Sequence, residues 1–211
     1  MSTRRAEIVQ AALRVAEQRG LAAMSMRAVA DQLGASVMGL YRHVPSKEVL
    51  LDELVGRLLA EIVLPDPSWP WQERLHHLAG EMYDLAARYP TVVPLLLTRA
   101  YVAPEAVRVV QATSTVLRDA GVPAEHVPRL ERLVSTFLLG YATSAAHHAF
   151  WPDPDATDPP APSPAHPARP PSEPGSDRWR AELERDVGDL IALFHHLRGA
   201  SRQPPAPHGG P

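Results

Sequence analysis

Residues 24–47 read MSMRAVADQLGASVMGLYRHVPSK, and they carry the signals of two short helices joined by a tight turn. Ser25 can cap the first helix, because a serine side chain accepts a hydrogen bond from a free amide of the first turn. Gly34 ends this helix, since glycine readily takes the left-handed conformation of a helix C-terminus. Ser36 can cap a second helix over residues 37–43. Two helices of about two turns, joined by about three residues, have the dimensions of a helix-turn-helix.

The second of these helices is short and polar, and Leu40 is the residue that we expect to point inward. Such a helix gains little from burial, so we expect its remaining side chains to face something outside the protein. Pro45 stops the helix because proline cannot continue it, and Ser46 can cap the helix that follows.

These residues, together with the helix before them, resemble the DNA-binding domain of the tetracycline-repressor (TetR) family of bacterial transcriptional regulators. The resemblance covers roughly residues 1–63, and it is specific because caps, glycines, an aromatic residue and a lysine all occur at the right offsets together. The second half of the chain has no residue-level match that names a ligand. The matching residues are Gly20, Ala30, Ser36 and residues 25–27, 33–34, 39–43 and 46–51.

The resemblance implies DNA contacts around the second helix. Tyr41, His43 and Lys47 are expected to contact the phosphate backbone, which sets register. Arg27 and residues 37–39 are expected to face base edges in the major groove, which sets sequence preference. The full set is Ser25, Arg27, Ser36, Val37, Met38, Gly39, Tyr41, Arg42, His43 and Lys47.

Three of these residues have simpler explanations. Lys47, which is the one lysine beside 20 arginines in the chain, could be a solvated residue at a helix start. Gly39 could be a packing requirement between short helices, and Met38 could belong to the core.

Composition and charge agree with a protein that docks by one end. The chain has 211 residues, long enough for one DNA-binding module and one helical core. Residues 1–50 hold seven Lys and Arg against four Asp and Glu, a balance of +3, while the remaining residues balance at −6. There is no cysteine, no run of about 18 apolar residues and no apolar signal core. We therefore expect a cytoplasmic protein that is not associated with a membrane.

Apolar residues repeat at helical spacing along the whole chain, and no strand-like alternation appears, so the sequence predicts an all-α fold. Arg4 and Arg5 begin the first helix, where a phosphate contact or a frayed basic terminus would explain the positive charge. Three prolines within residues 65–70 separate two domains. We predict a helix-turn-helix domain over residues 1–63 and a helical ligand-binding and dimerisation domain over residues 71–199. Helices are predicted over residues 4–19, 25–33, 37–43, 47–63, 71–89, 104–120, 123–150 and 177–199, with a buried apolar segment at 92–101.

Residues 151–175 contain ten prolines in 25 positions, together with Asp, Ala and Ser. This segment lacks the apolar surface that would offset the entropy of ordering, so we interpret it as a flexible loop. A proline-rich recognition motif is the alternative. Residues 200–211 are predicted to be a disordered tail.

The two final long helices carry apolar faces wider than one small domain needs. In the family that the chain resembles, the corresponding helices pack against those of a second subunit in a four-helix interface, which implies a homodimer. The alternative is that these faces form the core of a monomer. The predicted seam consists of Phe137, Leu138, Leu183, Leu190, Ile191 and Phe194.

No catalytic pattern accompanies these features. The sequence has no glycine-rich phosphate loop, no GxSxG and no HExxH. The adjacent histidine pairs at 76–77, 147–148 and 195–196 diverge by about 100° on a helix, so one pair cannot chelate one metal ion. Three histidines, one from each pair, could still come together inside the bundle and bind a metal ion. We expect no enzyme activity, no cofactor and no metal.

The sequence thus predicts a ligand-responsive repressor that leaves a palindromic operator when a small-molecule effector binds its helical domain. An all-α ligand-binding or adaptor protein that does not regulate DNA is the alternative, which the presence of Tyr41 and Lys47 disfavours. Core packing explains each candidate effector contact equally well. These candidates are Met82, Tyr83, Tyr89, Leu96, Tyr101, Val110, Phe137, Tyr141, Ser144 and His148.

Overall fold

A computed structural model describes residues 3–99, 103–147 and 177–200. Within these segments the chain is helical and contains no strand, as the sequence predicted. Tyr101, His148, the proline-rich segment 151–175 and residues 201–211 lie outside the described residues. The α-helices are α1 Thr3–Arg19, α2 Met26–Gln32, α3 Val37–Tyr41, α4 Lys47–Glu61, α5 Trp71–Arg88, α6 Leu96–Arg99, α7 Pro104–Asp119, α8 Val127–His147 and α9 Asp177–Ala200.

Three serines cap the helices of the N-terminal head, which consists of α1 to α4. Ser25 Oγ accepts a hydrogen bond from the Ala28 amide at 3.1 Å, and Ser36 Oγ accepts one from the Gly39 amide at 3.1 Å. Ser46 Oγ accepts one from the amide at position 49, at 3.2 Å. Gly34 follows α2 with a φ of +60°, which a side chain would strain. These observations confirm the predicted caps and the predicted glycine end.

Some predicted boundaries were too long. The second helix of the motif ends at Tyr41 rather than at residue 43, and α4 ends at Glu61 rather than at 63. The predicted helix over 123–150 begins as a 3₁₀ turn, Ala124–His126, before α8. The spacing of apolar residues predicts where a helix lies, but it does not identify the residue at which the last hydrogen-bonded turn ends.

The head is held together by the apolar stripe of α1. Ile8, Ala11, Ala12, Val15 and Ala16, which share one face, are all fully buried. The stripe packs against α2 and α4. The prediction of this face from its helical spacing is confirmed.

In the C-terminal body, α5 is the central helix and packs against α7, α8 and α9. Its Leu75 and Leu85 are buried together with Leu117 of α7, Val134 of α8 and Val187 of α9. Every neighbouring helix therefore turns an apolar face toward α5.

The segment between α5 and α7 is less buried than the sequence predicted. It forms a 3₁₀ turn, Val93–Leu95, followed by the four-residue α6. Val92, Val93 and Leu96 are buried, but Leu97 is 48% exposed. The prediction of an all-round buried segment was wrong at Leu97, because this short turn meets the core on one side only.

A glycine brings the head and body close together. At Gly56 of α4, an added Cβ would lie 2.8 Å from Glu105 Oε2 and 3.8 Å from the Ala103 Cβ. Because glycine has no side chain, the start of α7 can approach the backbone of α4.

Among the described helices, none combines the length and the apolar character that a membrane span requires.

Candidate functional site

The strongest candidate site is the outer face of α3 and its neighbours. Within α3 only Leu40 is buried, at 1% exposure. Met38 is 73% exposed and Tyr41 is 43% exposed, so Met38 is not a core residue. The predicted DNA contacts lie at the start of α2, on α3 and just after it, and at the start of α4. Ser25, Arg27, Ser36, Arg42 and His43 are exposed, while Val37, Gly39 and Lys47 are half-buried.

Gly39 also has a local reason to be glycine. A Cβ at this position would lie 3.1 Å from Ser36 Oγ, the atom that caps α3. A methyl group would therefore crowd the cap on which this five-residue helix depends. This contact lies within α3 itself, so it does not test the predicted packing between short helices, and it is compatible with a close approach of DNA.

The charges around α3 leave several cations available. Among the described residues, Arg27, Arg42 and Lys47 form no ion pair with a carboxylate. Glu48, at the start of α4, is an exposed carboxyl whose pKa is lowered by hydrogen bonds from its own backbone amide and from the Ser46 hydroxyl. This face therefore presents three guanidinium or ammonium groups that can contact phosphates.

The two arginines that begin α1 differ from these cations. Arg4 Nη1 lies 2.9 Å from Glu7, and Arg5 Nε donates to Glu53 at 2.6 Å. The hydrogen bond to Glu53 raises the pKa of the Arg5 guanidinium above its usual value. Both arginines thus have partners within the head. Arg4 pairs within α1, whereas Arg5 pairs with Glu53 of α4, a contact that apolar periodicity does not reveal.

The predicted effector contacts are spread over the body. Met82, Tyr83 and Leu96 are buried in the core, whereas Tyr89, Val110, Phe137, Tyr141 and Ser144 are half-buried. The rings of Phe137 and Tyr141 lie 6.0 Å apart between centroids. Burial, followed by the nearby carboxylates of Asp186 and Glu182, raises the pKa of Tyr141.

Two open cavities lie elsewhere. One of about 410 Å³ lies between α1 and α4, and one of about 320 Å³ lies between α5 and α9. Neither is lined by any of the ten predicted effector contacts. The effector site in the body stays a prediction.

The predicted dimer residues divide into two groups. Leu138, Leu183 and Phe194 are 7%, 3% and 2% exposed, and they belong to the core of the single chain. Phe137, Leu190 and Ile191 are half-buried and remain available. Sequence reasoning missed two exposed leucines among the described side chains of α8 and α9, which are Leu133 at 46% and Leu193 at 49%. Leu193 lies three residues after Leu190, and Leu133 lies four before Phe137, so helical spacing could have found both.

The histidines take part in packing around the segment that joins head and body. His77 Nε2 lies 3.0 Å from the carbonyl of Val63, and its ring meets Trp69 edge-on at 5.5 Å between centroids. The ring centroid of His195 in α9 lies 5.3 Å from that of Trp71. Among the described residues, no cluster of three or more His, Asp or Glu side chains could hold a metal ion.

Family models match both parts of the chain. The model described as "Bacterial regulatory proteins, tetR family" matches residues 8–54. The model described as "Tetracyclin repressor-like, C-terminal domain" matches residues 64–164. The first match thus covers most of the head, and the second covers the part of the body that contains α5 to α8.

Curated relatives match part of their length. The transcriptional repressor DrrR1 of Streptomyces coeruleorubidus is 30% identical over 139 residues, which are 65% of this chain and 52% of that protein. The repressor KstR of Mycobacterium tuberculosis is 37% identical over 105 residues, 47% of each chain. The chain spans about half the length of these relatives.

Solved structures share the fold. BioQ of Mycobacterium smegmatis has a TM-score of 0.71 at 19% identity, covering 90% of this chain and 96% of that one. ActR of Streptomyces coelicolor, solved with (S)-DNPA, has a TM-score of 0.68 at 22% identity, covering 92% and 97%. The capped helix-turn-helix head, the helical body and the two family models lead to one conclusion: the chain belongs to the TetR family of bacterial transcriptional regulators.

Proposed function

We propose that this protein is a homodimeric, cytoplasmic transcriptional repressor that binds a palindromic DNA operator and releases it when a small-molecule effector binds the body. The observation that carries the proposal is the face of α3, where Leu40 alone is buried and Met38 and Tyr41 project outward. Unpaired cations surround this face, as an interface for the phosphate backbone requires. The family to which the chain belongs consists of regulators, which supports a role without catalysis.

In this proposal, α3 enters the major groove. Met38, Gly39 and Arg27 read base edges, while Tyr41, His43 and Lys47 hold the phosphates. A second copy would present the same face about one helical turn of DNA away, at roughly 34 Å, so that the dimer reads two half-sites.

Communication between the effector and DNA requires contacts that join head and body, and Glu61 at the end of α4 makes two of them, to Tyr89 and Arg88. Its carboxylate accepts a hydrogen bond from the Tyr89 hydroxyl at 3.0 Å and lies 3.0 Å from Arg88 Nη1. Arg57 of α4 lies 2.7 Å from the same carboxylate. Burial, followed by the hydrogen bond to Glu61, raises the pKa of the Tyr89 phenol. We call these four side chains the Glu61 cluster.

Two further contacts tie the head to the body. Arg108 Nη2 of α7 donates to two carbonyls at the C-terminal end of α4, at 2.8 Å from Leu59 O and 2.9 Å from Ile62 O. A cation at this position also complements the negative end of the helix dipole. The Glu17 carboxylate of α1 accepts a hydrogen bond from the Val92 amide at 3.1 Å. A shift of α5 or α7 around an effector would therefore move α4 and α1, and would change the spacing of the two heads.

The proposal is tested on duplex DNA selected from a random pool by the wild-type protein. We expect Lys47→Ala to weaken binding to all sequences about equally, and to flatten the dependence of log Kd on log salt by about one unit, because one phosphate contact is lost. Arg27→Ala should instead relax the preference at one base pair. Arg129→Ala, an exposed arginine on α8, is the matched control and should leave both properties unchanged.

Retention of no duplex by the wild-type protein would contradict the proposal and favour the adaptor alternative. If duplexes are retained, an unchanged salt dependence in Lys47→Ala would show that Lys47 is a solvated residue.

The Glu61 cluster gives a stability prediction. Glu61→Ala leaves the Tyr89 hydroxyl and Arg88 without their acceptor at a partly buried place, so we expect unfolding free energy to fall by about 1–3 kcal/mol in a urea titration. Glu7→Ala is the matched control, because Glu7 and Arg4 form an exposed pair whose loss should cost less than about 1 kcal/mol. Equal losses in the two variants would show that the cluster does not join head and body.

A further inference from the structure

The head carries a groove that the proposed function does not use. It lies between α1 and α4 and measures about 410 Å³, which is within the range of about 300–1,000 Å³ that small-molecule sites occupy. Ala6 and Val9 of α1 and Leu33 after α2 provide apolar walls. The groove is therefore large enough and apolar enough to hold the body of a small ligand.

Two arginines on this groove determine which ligand would fit. Arg14 of α1 is exposed and forms no ion pair or hydrogen bond within the described residues. Arg57 of α4 is 43% exposed at its side chain and is paired with Glu61. The one carboxylate lining the groove, Glu7, is paired with Arg4. An anion entering the groove would thus meet one unpaired guanidinium and one that it could share.

We propose that this groove binds a small monocarboxylate with an aliphatic body. The aliphatic part replaces water against Ala6 and Leu33, and the carboxylate accepts hydrogen bonds from Arg14 and Arg57. A carboxylate fits better than a doubly charged phosphate, because Arg57 already shares its charge with Glu61. This site is separate from the effector site that the proposed function places in the body.

The position of Arg57 links the groove to the Glu61 cluster. A bound carboxylate competes with Glu61 for Arg57, which leaves Arg88 and Tyr89 as the remaining partners of Glu61. Arg57 and Glu61 both lie on α4, so occupation of the groove weakens a contact within the head and leaves the two contacts of Glu61 with the body in place. The effect of this change in the Glu61 cluster on operator affinity rests on the proposed function, whereas binding in the groove does not.

Octanoate is a suitable probe, and binding to the full chain is measured by calorimetry without DNA. We expect wild-type protein to bind octanoate, and octylamine, which has the opposite charge, to give no heat of binding. Arg14→Gln should weaken octanoate binding about tenfold or more, because it removes a charge-assisted hydrogen bond. Arg19→Gln is the matched control, since Arg19 is exposed on the same helix but does not line the groove.

Competition is tested with Glu61→Gln, which frees Arg57 and should tighten octanoate binding several-fold. Amide resonances of Ala6, Val9 and Leu33 should shift on titration in a nitrogen–proton correlation spectrum. Absence of octanoate binding, equal binding to Arg14→Gln and wild type, or shifts confined to the body would each overturn the site. Unchanged affinity in Glu61→Gln would overturn the link to the Glu61 cluster. Because no DNA is present, none of these results depends on the proposed repressor function.

Discussion

Leu40→Ala is expected to abolish tight operator binding while the body stays folded. Helix α3 has five residues, and Leu40 is the one buried side chain that attaches it to the head. Truncating a fully buried leucine typically costs about 2–5 kcal/mol, which is more than so short a helix can lose and keep its place. Operator titration by fluorescence anisotropy should show affinity falling toward the non-specific range of roughly 10⁻⁴–10⁻⁶ M.

Met38→Ala is the matched control for this variant. It lies on the same helix, but its side chain is 73% exposed. We expect its unfolding free energy to stay within about 0.5 kcal/mol of wild type, and its effect to be confined to sequence preference. Circular dichroism should show nearly full helix content in both variants. Tight binding by Leu40→Ala would mean that α3 is held in place by something other than this side chain.

Leu193→Glu is expected to convert the protein into folded monomers that bind DNA weakly. Leu193 is 49% exposed in the single chain, so a carboxylate there meets water in the monomer. In a two-fold interface built from α8 and α9, the same change buries two unpaired charges, at a cost of several kcal/mol for each. One head alone should then fall from a specific affinity of roughly 10⁻⁸–10⁻¹¹ M to the non-specific range.

Light scattering and operator titration on the same samples decide this prediction. Val107→Glu is the control, because Val107 is 55% exposed on α7, outside the proposed seam. The control should remain a dimer with wild-type affinity. A wild-type monomer, or a Leu193→Glu monomer that still binds a palindrome tightly, would contradict the interface and the mechanism that depends on it.

The sequence by itself determined the local architecture of the head. Ser25, Ser36 and Ser46 each accept the amide hydrogen bond that their positions predicted, and Gly34 ends α2 with a positive φ. These signals act over three or four residues, so they need no knowledge of the rest of the fold. For the same reason, the outward character of α3 was predictable from its composition and its single inward leucine.

Tertiary structure decided which apolar faces form the core of one chain. Helical period placed Leu138 and Leu183 on apolar faces, but it could not tell whether α5 or a second subunit lies opposite them. The structure buries both within the single chain and leaves Leu133 and Leu193 exposed. The spacing of apolar residues describes one helix by itself, whereas burial depends on which other helix packs against it.

The contacts between head and body also came only from the tertiary structure. Arg108 reaches the last carbonyls of α4, and Glu17 reaches the Val92 amide, across 46 and 75 residues of chain respectively. No local pattern specifies such pairs, since charged side chains at exposed helical positions look alike in sequence. They become partners because packing around α5 and α7 places the end of α4 beside the body, where its terminal carbonyls can accept further hydrogen bonds.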